Sequence, residues 1–148
     1  MFKGNKFDLE YGEFSSYLKG VVSNLQEAKK YARNDVEKQM IDNYILTFNT
    51  GNIEDHKNSQ RDWIKDKIPE VETNMGWIEH YTDPSNQRAV WEGFVAIVNK
   101  KRTTNLTKLV NKGPEILKKL PWEKNIEKNA FLAPDFTSLD MIEWHGEG

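Results

Sequence analysis

Trp77, Glu79 and Tyr81 stand two residues apart within residues 75–99, MGWIEHYTDPSNQRAVWEGFVAIVN, and have the clearest capacity for chemistry in this sequence. If the segment is extended, side chains two residues apart share a face. One face then carries an indole, a carboxylate and a phenol in a row. Such a row can grip a polar ligand: Glu79 can take a cationic amine, and the Tyr81 hydroxyl can donate to a carbonyl or an oxyanion. Spacing alone leaves a second reading open. In it the strand is half exposed, its Glu faces water and its aromatics pack on a neighbour.

The other candidates are weaker. His56, His80 and His145 are the 3 histidines, and none lies in a helical pair that would clamp zinc in the H-E-x-x-H manner. Glu54, Asp55 and His56 read as a solvated helix face. On an alternating strand His80 points away from Glu79 and Tyr81, and His145 reads as part of a mobile tail. Glu92 reads as a strand-end charge in solvent. No Gly-rich phosphate loop, nucleophile elbow or paired-Asp metal loop is present in the sequence.

At 148 residues the chain is one domain by length and is large enough to bury a core. Its mean hydropathy of -0.78 and 30% charged residues make it polar. The 5 Trp, 5 Tyr and 7 Phe are nonetheless too many for a disordered chain. With 21 basic against 23 acidic residues there is no electrostatic footprint for nucleic acid. No apolar run is long enough to span a bilayer, and the first residues lack the apolar core of a secretory signal. The absence of cysteine excludes a disulfide framework, a thiolate zinc site and a thiol nucleophile. The reading is a soluble, cytosolic protein.

The elements that must position the central segment follow from periodicity. Phe14, Tyr17, Leu18, Val21, Val22, Leu25, Ala28, Tyr31 and Ala32 form a helical apolar stripe. Asn34, with Glu37 three residues on, predicts the start of a second helix. That helix carries Val36, Met40, Ile41, Tyr44, Ile45 and Phe48 and stops at Gly51. The short connection predicts an antiparallel helical hairpin. A polar third helix over 53–65 has Ile53, Trp63 and Ile64 as anchors, and Pro69 ends helical geometry. Asp83, Pro84, Ser85 and Asn86 predict a turn. The apolar run 94–98 predicts a strand covered on both faces. Beyond Asn99 a helix over 100–120 is interrupted at Gly113 and Pro114, where Pro114 either kinks it or opens a new first turn. The rest is irregular, with a short strand at 138–142.

These residues also carry a resemblance. GNIEDHKNSQRDWIKDK, GWIEHYTDP, WEGFVAIVNKK, LKKLPWEK and FLAPDFTSLD, in this order, resemble dipeptidyl peptidase III, a family of zinc-dependent aminodipeptidases. The likeness extends from the N-terminus to Asp140. Members of that family are longer, with a cleft between a helical zinc-bearing lobe and a mixed lobe with a small β core. The resemblance places this chain in the mixed lobe. In the family pattern E-x-Y-x-D-P it implies that Glu79 holds the substrate's free amino terminus. It gives Tyr81 the catalytic role of hydrogen-bonding the scissile region. The family's zinc is held by an H-E-x-x-G-H helix and a further Glu, none of which is found in this sequence. Zinc is therefore a cofactor of the full-length family that this chain is not expected to bind, and the chain alone is expected to be inactive. Residues 141–148, MIEWHGEG, look like a departure from the family and like a truncated, spliced or gene-model product. Pro114 looks like a second departure, in a helix that runs unbroken in relatives.

The expected fold class is α+β, as a single partial domain over 1–148. It comprises a helical part at 1–67, a strand pair at 68–99, a helix at 100–120 and an irregular tail at 121–148. The expected partner is a peptide N-terminus, with no nucleic acid and no membrane. Two other functions stay open: a non-catalytic helical interaction module, which self-associates through uncovered apolar surface, and a standalone peptide-binding domain.

Overall fold

Helix boundaries in the chain follow local chemistry. A first helix, α1 (Ser15–Ala28), continues into a 3-10 turn over Lys29–Tyr31. Asn34 then caps α2 (Asp35–Thr50), its side-chain oxygen accepting the Glu37 N–H at 2.8 Å. Glu37 completes the box by accepting the N–H of Arg33, one residue before the cap. Gly51 ends α2 with φ 70°, a left-handed conformation that costs glycine little. Asn52 in turn caps α3 (Ile53–Trp63) by accepting the Glu54 N–H. These coordinates are a computed structural model that describes residues 3–8, 10–67, 69–127 and 130–146. The chain divides into two compact units, Met1–Lys67 and Ile68–Gly148. The architecture is α+β, with five α-helices among the described residues and a three-stranded antiparallel sheet.

In the helical unit α2 is the central element and packs against both α1 and α3. Its Met40, Ile41, Tyr44 and Phe48 are buried together with Val22 and Leu25 of α1. Only the seam of the α1 stripe is covered: Tyr17 and Phe14, at its margins, are exposed. Of the expected α3 anchors Trp63 is half buried, but the other two are not covered. Ile53 and Ile64 face solvent, and the buried residues of α3 are Ser59 and Asp62. The reason is a polar seam. Asp62 accepts from the buried Asn43 amide at 2.8 Å and from Lys65 at 2.8 Å, and Gln60 donates to the Tyr44 hydroxyl at 3.2 Å. Bonds from Asn34 to Asp66, Asn43 to Asp62 and Thr50 to Asp55 show that α2 and α3 run antiparallel.

In the second unit β1 (Val71–Glu79) pairs with β2 (Val90–Val98), and β2 pairs with β3 (Leu139–His145), giving the order β1-β2-β3. Ala96 and Val98 of β2 are buried, but Ile97 between them is exposed. One part of the central strand expected to be covered on both faces thus has an open face. Asn99 follows β2 and caps α4 (Lys100–Asn111), accepting from Arg102 N–H at 3.0 Å. A separate short helix, α5 (Gly113–Leu117), carries Pro114 in its first turn, where the missing N–H is no loss. The two openings left for Pro114 thus resolve in favour of a new helix. The Phe131 ring lies against Gly113, in space a Cβ would occupy.

Among the described residues, the segment before β3 is irregular as expected, apart from a 3-10 turn at Lys124–Ile126, and its end is tied to the start of α4. Asn99 N–H donates to the Ser138 carbonyl at 2.8 Å, Ser138 N–H to Thr103 Oγ1 at 3.1 Å, and the Asn99 amide to Asp140 at 2.9 Å. From there β3 runs to His145, longer than the strand expected at 138–142. Its Trp144 stacks on Phe94 of β2, with ring centroids 6.4 Å apart.

Candidate functional site

Glu79 is the last residue of β1, and the approach to it is irregular. Trp77 stands opposite Trp91, but Glu79, not Ile78, stands opposite Val90. Ile78 is therefore the additional residue of a β-bulge. Directly opposed residues share a face, and Trp91 and Val90 point to opposite faces. Glu79 consequently lies on the face away from Trp77. The uninterrupted row of indole, carboxylate and phenol is corrected on this point, because an inserted residue reverses the alternation. Trp77 has a packing role: its ring meets that of Trp91 edge-on at 4.9 Å.

Tyr81 lies beyond the strand, in the turn that follows it, and is 67% exposed. It is carried by the β1–β2 connection, so strand alternation does not set its direction. Glu79 is exposed as well. No other described side chain hydrogen-bonds or ion-pairs with either group, so a carboxylate and a phenol stand two residues apart facing solvent.

The turn itself is tightly held. Asp83 accepts the N–H groups of Gln87 at 2.7 Å, Arg88 at 2.8 Å and Ser85 at 3.2 Å. These bonds, led by that from Gln87 and followed by those from Arg88 and Ser85, hold the Asp83 carboxyl below the usual carboxylate range, and the Arg88 charge adds to them. Asn86 adopts φ 54°, a left-handed position that Asn tolerates better than most residues, and its side-chain oxygen meets the His80 ring at Nδ1. Asn86 as the partner of His80 was not read from the sequence; an Asn at a turn position needing positive φ is the signal that marks it. Glu92 lies within β2 opposite Gly76 and is half buried, not at a strand end.

The three histidines each have a different setting. His56, half buried on α3, has its imidazole pKa pushed down by desolvation. His80 is engaged with Asn86, and His145 Nε2 meets the Glu143 carboxylate at 3.1 Å. Among the described residues no three His, Asp or Glu side chains are grouped to hold a metal. Nor is any described helix long and apolar enough to cross a membrane.

Comparison with known proteins gives these features a context. The chain is 45% identical over 147 residues to dipeptidyl peptidase 3 of Rattus norvegicus and of Homo sapiens, covering 99% of this chain and 20% of each relative. It is 46% identical to dipeptidyl peptidase 3 of Dictyostelium discoideum over the same share of this chain and 21% of that protein. The chain thus spans about a fifth of the length of the curated relatives it matches. Two solved structures share its fold at 21% identity. That of DPP III from Caldithrix abyssi has a TM-score of 0.74 and covers 99% of this chain and 28% of its own. That of dipeptidyl-peptidase III from Corallococcus sp. strain EGB has a TM-score of 0.62, covering 100% of this chain and 27% of its own. The model of peptidase family M49 matches residues 1–148, so the tail at 141–148 is not the departure expected from its sequence; it holds most of β3. By this match along its whole length, the chain belongs to peptidase family M49.

Proposed function

We propose that this chain forms the substrate-amine side of a cleft in a peptidase that removes dipeptides from peptide N-termini. Glu79 pairs with the free α-ammonium of the peptide, and Tyr81 donates a hydrogen bond to the carbonyl of the bond to be cut. A hydrogen bond to that oxygen strengthens as negative charge develops on it, so Tyr81 would favour the transition state over the ground state. The observation that carries the reading is the exposed carboxylate and phenol two residues apart, in a chain 45% identical to dipeptidyl peptidases over 99% of its length.

The same proposal holds that this chain alone does not hydrolyse peptides and takes no zinc. When bound, zinc supplies a water of lowered pKa in such enzymes. The H-E-x-x-G-H helix that the resemblance assigns to it is not in this sequence. What this chain's residues do is bind and orient. The absence of cysteine supports a cytosolic place for it.

Calorimetry with alanyl-alanine amide tests the reading. Binding is expected for the free amine and lost on N-acetylation. Removing one charged hydrogen bond costs about 1.5–3 kcal/mol, so Glu79→Ala is expected to weaken affinity by at least about ten-fold. Equal heats for free and acetylated probes would overturn the assignment.

A second reading, a non-catalytic interaction module, draws on the exposed Phe14, Tyr17 and Tyr31 of the helical unit. Self-association in size-exclusion chromatography, relieved by Tyr17→Ser, would favour it. A concentration-independent monomer counts against it.

A further inference from the structure

Residues 80–89 join β1 to β2, a connection much longer than the two to five residues typical of hairpins, and one carboxylate closes it. Asp83 Oδ2 takes the N–H groups of Gln87 and Arg88, while Oδ1 takes that of Ser85. Two backbone bonds complete the knot, from Asp83 N–H to the His80 carbonyl at 3.2 Å and from Asn86 N–H to the Asp83 carbonyl at 2.9 Å. Together these bonds link His80, just after Glu79, through Asp83 to Gln87 and Arg88, which lead into β2. None uses the side chain of Glu79 or Tyr81. Tyr81 lies inside the turn that the bond from Asp83 N–H to the His80 carbonyl closes. We propose that Asp83 is a positioning residue: by tying this connection to the start of β2, it fixes the reach from the Glu79 carboxylate to the Tyr81 phenol. That reach sets the spacing between the ammonium and the carbonyl that a bound peptide must present, and fixing it in advance removes an ordering cost from binding. The inference rests on the reading of Glu79 and Tyr81 as amine anchor and carbonyl partner. Asparagine cannot substitute, because its amide offers one acceptor oxygen and turns an NH2 group toward N–H donors.

Backbone 15N relaxation and calorimetry with alanyl-alanine amide, on the wild-type chain, Asp83→Asn and Glu79→Ala, test this. In Asp83→Asn the Tyr81 amide order parameter is expected to fall from about 0.85 to below about 0.6, with Thr73 and Val95 in the sheet unchanged. Affinity for the amide probe should fall at least ten-fold, and its N-acetyl analogue should show no change. If Tyr81 keeps its order in Asp83→Asn, the clamp is overturned. It is equally overturned if order is lost while affinity persists and Glu79→Ala abolishes binding. Failure of the amine-anchor reading has a different signature, a Glu79→Ala chain that binds like wild type, and the order of Tyr81 then decides the role of Asp83. Should Asp83→Asn lose its sheet, Asp83→Ser, whose hydroxyl accepts without turning an NH2 group toward the N–H donors, is read in the same way.

Discussion

A carboxylate that accepts three backbone N–H groups cannot take a proton without weakening at least one of them, and Asp83 is in this position. Its pKa is lowered chiefly by the bond from Gln87, then by those from Arg88 and Ser85, with the Arg88 charge as a smaller contribution. The sign follows directly. A folded-state pKa below the unfolded one stabilises the turn above the ordinary value of about 3.9 and loses that effect as pH falls through the folded pKa. The amide proton shifts of Gln87 and Arg88 are therefore expected to titrate together, with a midpoint below that of an ordinary aspartate. Titration at the ordinary value would show that these bonds are weak in solution. At this scale the Asp83 turn was legible, since Asp and Pro in sequence report their own backbone preferences. The bulge at Ile78 was not. An inserted residue is defined by the partner strand, so period-two reading carried Trp77 and Glu79 onto one face where the register with Trp91 and Val90 separates them.

Element boundaries divide in the same way between local and distant causes. Asn34, Glu37 and Gly51 act within a few residues of themselves, and all three were legible as the start and stop of α2. Gly51→Ala, which would put a Cβ on a left-handed residue, is expected to cost about 1–2 kcal/mol in urea unfolding of the helical unit. The apolar period, in contrast, assigned α3 to Ile53, Trp63 and Ile64, while its buried face is Ser59 and Asp62. Polar burial is invisible to hydropathy because it depends on a distant partner, here Asn43 on α2. Asp62→Ala strands the buried Asn43 amide and should cost about 1–3 kcal/mol, read from the same unfolding curve. His56 adds a pH dependence to this unit. Desolvation lowers its folded-state pKa, so the fold disfavours the protonated form, and stability is lost as pH falls below the ordinary value of about 6.5. His56→Gln should flatten that slope, as unfolding midpoints between pH 7 and 5 would show.

For the molecule as a whole, the account is one of divided labour. A chain spanning about a fifth of its relatives' length carries a hydrogen-bonded turn with a free carboxylate and phenol. Its sequence holds no H-E-x-x-G-H motif. The α+β class was legible because the hydrophobic period changes from helical to alternating at Pro69. The reach of β3 beyond Ile142 to His145 was not, because Glu143, Trp144 and His145 join the strand through backbone pairing with β2. Binding without hydrolysis is the central claim, and release of arylamine from an alanyl-alanyl arylamide by this chain, with zinc supplied, tests it most directly. The account predicts no release above the uncatalysed rate; turnover that a chelator abolishes would contradict it.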